Sequence, residues 1–250
     1  MEIEGALAIV TGAAAGAGRE TALRLAREGA TVLVADVDGA GGERTVQEIE
    51  SGGGRARFAR ADMRDPEDVR RLVQTAEGVR VLVNNAGGGG QIEPHFPVAG
   101  PDDWGATLDL NLRAPMLATQ LSLEPMRRAG GGSVVNVAST GGLGLAAHQS
   151  PEYAAAKAGL IRFTSTLDVL RERMAVRVNC VVPDWIETER ARSELARMTP
   201  AERAAAPTPL PPGAVPDAVV SLIRDDTLAG RVLLVLSGAP PRLLDRTDGR

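Results

Sequence analysis

The sequence predicts one doubly wound α/β domain, and three features predict it. Short apolar runs alternate with segments of helical spacing along most of the chain. That rhythm gives right-handed strand–helix–strand crossovers and a mostly or wholly parallel sheet, here of about seven strands. The runs are nearly continuously apolar, as in TVLVAD at residues 31–36 and VRVLVN at 79–84. Strands buried on both faces read this way. A glycine cluster at residues 11–18, TGAAAGAG, separates the first run from the first helical segment. Ligands of such folds bind beyond the carboxyl ends of the strands. A chain of 250 residues buries a core without disulfides or metals and fits one domain over 1–250.

The elements follow in order. Residues 6–11 (ALAIVT) are a strand. Residues 16–28 are a helix, with Ala22, Leu23, Leu25 and Ala26 on its apolar face. Gly29 stands where a left-handed residue ends helices. Strands are expected at 31–36, 56–61, 79–84, 133–139, 176–182 and 232–236. Helices are expected at 44–51 and 66–76, within 102–129, and as one long element over 153–173. Residues 200–216 hold six of the 16 prolines, so no regular helix runs throughout. Too few residues follow for a second domain, and 189–216 is expected to be a substrate loop or lid. The tail over 239–250 is expected to be flexible unless it docks in an oligomer.

Composition narrows the function classes. One cysteine, Cys180, excludes a disulfide framework within the chain and a cysteine-based zinc site. Two histidines argue against a histidine-rich metal site, and no metal is expected. The net charge is −4, with arginines interspersed among acids, which does not suit a nucleic-acid partner. The acidic start is unlike a signal peptide, and no apolar run reaches the roughly 18 residues of a membrane span. The expectation is a cytoplasmic protein away from membranes, with a small molecule as its partner.

The glycine cluster has the form Gly-x3-Gly-x-Gly, with Gly12, Gly16, Ala17 and Gly18 at its turn. Glycines let the backbone approach a ligand, and the following helix presents free N–H groups and a positive dipole end to a pyrophosphate. Asp36 ends the second strand, where a carboxylate accepts both ribose hydroxyls of an adenosine and repels a 2′-phosphate. This points to NAD. Asp62 ends the third strand, where it either accepts from an adenine amine or begins a turn before Pro66; its neighbour Met63 is counted with the cofactor-binding residues. Tyr153 is the only tyrosine and Lys157 the only lysine. Four residues apart on a helix, they share one face. An ammonium beside a phenol favours the phenolate and suits it to general acid–base work.

With these residues in place, the chain resembles the short, single-domain branch of the short-chain dehydrogenase/reductase family. Six motifs stand in family order over residues 6–188: TGAAAGAG at 11–18, Asn84-Asn85-Ala86-Gly87, Asn111, Ser139, Tyr153 with Lys157, and Pro183 through Thr188. The resemblance implies a Rossmann domain and interconversion of a secondary alcohol and its ketone with NAD. It implies that Tyr153 exchanges the proton with the substrate oxygen and that Lys157 binds the nicotinamide ribose. Ser139 stabilises the reacting oxygen, and Asn111 holds a water linking Lys157 to solvent. Asn85, Ala86 and Gly87 line the cofactor, and Pro183, Ile186 and Thr188 adjoin the nicotinamide.

The chain departs from the family at Asp184, where the motif has glycine, and at Ser237-Gly238, where it has two glycines. Asp184 points to solvent or meets a polar substrate. Ser139 has a rival donor in Thr140, and Asn84 and Asn85 have an alternative as sheet scaffolding. Residues 88–92 and 141–150, with Trp185 and the 189–212 loop, are the substrate-pocket candidates. Within them His148 and Trp185 join Ser139 and Tyr153 as substrate-binding candidates, while His95 reads as a loop residue. The family association is a homotetramer or homodimer through the helices at 102–129 and 153–173 and through the C-terminal strand. The alternative function is a catalytically silent regulator or scaffold that still binds NAD(H).

Overall fold

The computed structural model describes residues 1–88, 94–144, 148–199, 203 and 206–245. The first half runs β1 (Leu7–Thr11), α1 (Gly16–Arg27), β2 (Thr31–Asp36), α2 (Gly39–Ser51), β3 (Arg55–Arg60), α3 (Pro66–Gln74) and β4 (Val79–Asn84). Then come α4 (Pro101–Leu108), a π-helical turn (Asp109–Arg113), α5 (Ala114–Arg128) and β5 (Gly132–Val137). After a single 3-10 turn (Thr140–Gly142), the chain continues through α6 (Pro151–Ser165), α7 (Leu170–Met174) and β6 (Val176–Pro183). It ends with α8 (Glu189–Arg197), α9 (Ala214–Arg224), β7 (Val232–Val235) and β8 (Arg242–Leu243).

The strand order is β3-β2-β1-β4-β5-β6-β7-β8, parallel from β3 to β7 and antiparallel only at β8. The order reverses between β1 and β4, the switch point where doubly wound sheets bind ligands. Alternate strand residues feed two cores. Val10, Val34, Val83 and Val135 pack with Leu25, Val219 and Leu222 on one face. Ile9, Leu33, Leu82 and Val134 pack with Leu72, Ala118 and Met126 on the other. The central strands are apolar throughout because each side chain, whichever way it points, enters a core. The edge strand β3, RARFAR, alternates instead.

Three expectations need correction, and the lid segment gains detail. The tail expected to be flexible from residue 239 carries β8, with Leu233 opposite Leu243, and Leu244 N–H donates to Val232 O at 2.8 Å. Residues 246–250 lie outside the described residues. The lid segment 189–216 opens with α8, and its prolines end in a helix: Val215 and Pro216 sit in the first turn of α9, where proline removes no helical bond. The helix expected over 153–173 breaks after Ser165. There Ser165 Oγ and Thr166 Oγ1 donate to the carbonyls of Arg162 and Phe163, and the backbone closes three-residue turns. Finally, α2 starts at Gly39, not residue 44. Asp38 caps it through Gly41 N–H at 3.0 Å, and Gly42 is glycine because a Cβ there would stand 2.1 Å from the Phe58 ring.

Arg177 has no signature in the sequence. Buried in β6, it reaches under the end of α9. Its guanidinium donates to Leu222 O and Asp225 O at 2.9 Å and to Ile223 O at 2.6 Å. A side chain from the sheet thus satisfies the last carbonyls of the helix.

Candidate active site

The glycine loop joins β1 to α1 at the switch point. Gly12 (φ +66°) and Gly16 (φ +55°) take left-handed backbone that a side chain would strain. A Cβ on Gly18 would lie 2.0 Å from Gly12 O and 2.4 Å from Asn85 Nδ2. The first turn of α1 has neither a capping side chain nor an acidic residue. Its N–H groups and the glycine cradle suit a pyrophosphate. Thr11 closes the seam: its hydroxyl donates to Val83 O at 3.3 Å and accepts from Asn85 and Ala86 N–H, each at 3.0 Å. Asn85 Nδ2 donates back to Thr11 O at 3.0 Å.

Asp36 stands beside this loop. One carboxylate oxygen accepts from Ala14 N–H at 2.9 Å and the other from Asp38 N–H at 3.0 Å. Asp62 opens a turn, its carbonyl accepting from Asp65 N–H at 2.9 Å. Arg64 holds both of its oxygens, and that hydrogen-bonded guanidinium outweighs burial and keeps the carboxyl below its usual range. Met63 packs its side chain into the core under the sheet. A nucleotide would meet Met63 through its backbone.

Asn111, Lys157 and Gly87 converge. The π turn widens the helix, and Asn111 Nδ2 donates to Thr107 O at 2.9 Å and to Gly88 O at 3.0 Å. Asn111 Oδ1 accepts from Gly88 N–H at 3.1 Å, so both sides of Gly88 are tied to one buried amide. A Cβ on Gly87 would lie 2.7 Å from Asn111 Oδ1 and 3.1 Å from Lys157 Nζ. The ammonium is buried, donates to Val137 O at 2.9 Å and sits 5.6 Å from the centre of the Tyr153 ring. Burial lowers Lys157 to about 8, with the Cys180 thiol opposing, and burial pushes that thiol up to about 12. Asn84 is scaffolding: its Nδ2 donates to Asn136 Oδ1 at 2.8 Å, and Asn136 Nδ2 donates to Thr164 Oγ1 at 2.9 Å.

Burial of Lys157 predicts a pH signature. Its folded pKa lies below the ordinary 10.5, so the folded chain sheds the proton first as pH rises. The unfolded chain then binds more protons, and stability rises with pH between about 8 and 10.5. K157M removes this titration. Thermal melts of the two proteins are expected to show the wild type gaining stability relative to K157M across that window. Parallel melting curves would refute the buried ammonium.

Ser139 lies two residues beyond the end of β5 and precedes the 3-10 turn. Its Oγ accepts from Gly141 N–H at 3.1 Å, which leaves the hydroxyl proton for another acceptor. The rival Thr140 donates its proton to Asp184 Oδ1 at 3.3 Å. That same oxygen accepts from Trp185 N–H at 2.9 Å. Asp184 therefore ties the loops after β5 and β6 together. Trp185 O accepts from Leu210 N–H at 2.7 Å, and Ile186 bridges to Leu210. Thr188 caps α8 through Ala191 N–H at 3.1 Å and brings its methyl group to within 3.3 Å of a Cβ placed on Gly16. The His148 ring lies 5.6 Å from the Tyr153 ring. Of the pocket candidates, residues 89–92, 145–147, 200–202, 204 and 205 lie outside the described residues.

One cluster escaped the sequence reading. His95 Nδ1 lies 2.7 Å from Glu152 Oε1, which also accepts from Ser150 Oγ at 2.8 Å, and Phe96 N–H reaches Glu152 Oε2 at 3.4 Å. Burial raises the Glu152 carboxyl, but these donors and its own backbone N–H outweigh it and hold it below the usual range. His95 is thus a tie between its loop and the residue before Tyr153. The contacts are local to folded space and distant in sequence, so spacing carried no signal for them.

The short chain dehydrogenase family model matches residues 6–198. A putative ketoacyl reductase of the granaticin polyketide synthase of Streptomyces violaceoruber is 37% identical, covering 94% of this chain and 96% of its own. The cyclopentanol dehydrogenase of Comamonas sp. is 35% identical over 87% of this chain and 89% of its own. Among solved structures, a 7α-hydroxysteroid dehydrogenase complexed with NADH and 7-oxo glycochenodeoxycholic acid has a TM-score of 0.83 at 28% identity, covering 97% of each chain. An actinorhodin polyketide ketoreductase with NADPH has a TM-score of 0.82 at 31% identity, covering 94% of this chain and 97% of its own. Among the described residues no helix is long and apolar enough to cross a membrane, and no three His, Cys, Asp or Glu side chains cluster as metal ligands.

Proposed function

Because the chain belongs to the short-chain dehydrogenase/reductase family of oxidoreductases, we propose that it interconverts a secondary alcohol and its ketone with NAD(H), using Tyr153 as general acid–base. The observation that carries this reading is the placement of Tyr153 beside the buried ammonium of Lys157, at the end of the sheet where Asn111 and Gly87 meet it. Gly12, Gly16, Ala17 and Gly18 hold the pyrophosphate, and Asp36 accepts from the adenosine ribose. Asp62 and Met63 border the adenine. Asn85, Ala86, Gly87 and Lys157 line the nicotinamide ribose, with Pro183, Ile186 and Thr188 about the ring. When bound, the nicotinamide exchanges a hydride with the substrate carbon.

The chain's own groups manage the oxygen. Tyr153 gives its phenolic proton to a ketone oxygen or takes one from an alcohol. Lys157, its Nζ 5.6 Å from the centre of the ring, favours the phenolate. Ser139 donates to the substrate oxygen as charge develops on it. The cyclopentanol dehydrogenase of Comamonas and the cyclohexanol dehydrogenase of Acinetobacter, 30% identical over 88% of each chain, support a cyclic secondary alcohol as substrate. From the expected lid, α8 and Leu210, which bridges to Ile186, border the substrate. The free, buried thiol of Cys180 suits a reducing cytoplasm.

Titration with NADH and NADPH, followed by nicotinamide fluorescence, tests the cofactor. NADH is expected to bind at least about tenfold more tightly, because Asp36 repels a 2′-phosphate. Tighter NADPH binding would overturn the NAD assignment. The apolar groove along α5 and the far end of α6, lined by Leu112, Met116, Leu123 and Phe163, supports association into a dimer or tetramer. Light scattering is expected to give a multiple of 26.0 kDa, and a monomer at micromolar concentration would contradict this.

A further inference from the structure

Resting on the reading that Tyr153 and Ser139 address the reacting oxygen, we propose that His148 sets specificity by donating a hydrogen bond from Nε2 to a second oxygen on the substrate. The preferred substrates are then ketones and alcohols, cyclic ones included, that carry another acceptor oxygen within about two carbons of the reacting carbon.

The argument begins with the tautomer. Ser150 N–H lies 3.0 Å from His148 Nδ1. Ser150 O also lies 3.0 Å from that nitrogen and accepts from Ala154 N–H at 3.1 Å as the first bond of α6. A backbone N–H can only donate, so the ring that accepts from Ser150 carries its lone pair on Nδ1 and its proton on Nε2. The ring is therefore held in one orientation with a donor on its free edge.

That edge faces the chemistry. Nε2 lies 2.9 Å from the point where a Cβ on Gly141 would stand, and Ser139 Oγ lies 3.5 Å from the same point. The absent side chain of Gly141 leaves room between them. The His148 ring is 5.6 Å from the Tyr153 ring, tilted by 30°. His148 is solvent-exposed, so its N–H is open to an incoming molecule. Tyr153 and Ser139 supply the groups for one oxygen. A further fixed donor at the same place matches a second oxygen. A site built to donate to a substrate oxygen discriminates against analogues that lack it.

The test compares diacetyl, which carries a second carbonyl beside the first, with butanone, which lacks it. Wild type, H148L and H148Q are assayed as full-length enzymes with NADH, and thermal melts check folding. H148L is expected to lose at least about tenfold more kcat/KM on diacetyl than on butanone, and H148Q, which keeps a side-chain N–H, is expected to recover part of the difference. Equal losses on both ketones, or no loss on either, would overturn the assignment and leave His148 a structural residue. A wild type that binds NADH yet reduces neither these ketones nor cyclohexanone removes the oxidoreductase reading, and the His148 assignment falls with it. The two failures are therefore distinguishable.

Discussion

Tyr153→Phe is expected to lower turnover by about 10²- to 10⁴-fold, the usual contribution of a positioned general acid–base. The substitution removes one oxygen and leaves the ring, so the contacts with His148 and the Lys157 ammonium keep their geometry. The glycine cradle and Asp36 are elsewhere on the sheet end and are untouched. NADH affinity is therefore expected to stay within about threefold of the wild type. The pairing of lost turnover with retained binding is what distinguishes a proton-transfer role from a structural one. Y153F that turns over at the wild-type rate would remove Tyr153 from the chemistry. Y153F that loses NADH binding as well would make it a binding residue.

Gly18→Ala is expected to abolish nucleotide binding, by at least about 100-fold in Kd, and to destabilise the fold by about 1–3 kcal/mol or more. Its Cβ would stand 2.0 Å from Gly12 O, a backbone atom that cannot rotate away. Gly12 is itself confined: it has φ +66°, and a Cβ there would lie 2.8 Å from Ala86 Cα. The helix α1 must then lift from the β1 turn, and the N–H groups that face a pyrophosphate lift with it. Gly105→Ala is the matched control. It lies in α4 with nothing within 4 Å of its Cβ position and is expected to leave binding intact while stabilising the helix by roughly 0.5–1 kcal/mol. Isothermal titration and urea unfolding of both variants check the pair. Normal NADH binding by G18A would refute the cradle.

The sequence carried most of this site because its chemistry is local or periodic. Tyr153 and Lys157 are one helical turn apart, and the glycine cluster follows an apolar run directly. The β2 and β4 strands fall where the apolar runs place them, since both faces of each are buried. What escaped depends on partners far along the chain. The expected helix over 44–51 left out Gly39 to Gly42, glycine being a poor helix former, yet Gly41 and Gly42 are there to let α2 approach Ala14 and Phe58. The prolines before α9 hid a helix that begins just where proline is tolerated. The π turn holding Asn111 has no sequence signature, and the Arg177 and Glu152 ties join segments that only the fold brings together. Asp184, a departure from the family motif, became intelligible only when Thr140 was seen donating to it.

The most direct test of the central claim is to follow a labelled hydride. The enzyme is incubated with cyclohexanone and NADH deuterated at its transferable position, and the alcohol is read by mass spectrometry, with Y153F alongside. The account predicts cyclohexanol with one deuterium on the carbinol carbon from the wild type, and a rate of its formation about 10²- to 10⁴-fold lower from Y153F. Unlabelled alcohol, no alcohol from a wild type that binds NADH, or labelled alcohol from Y153F at the wild-type rate would contradict it.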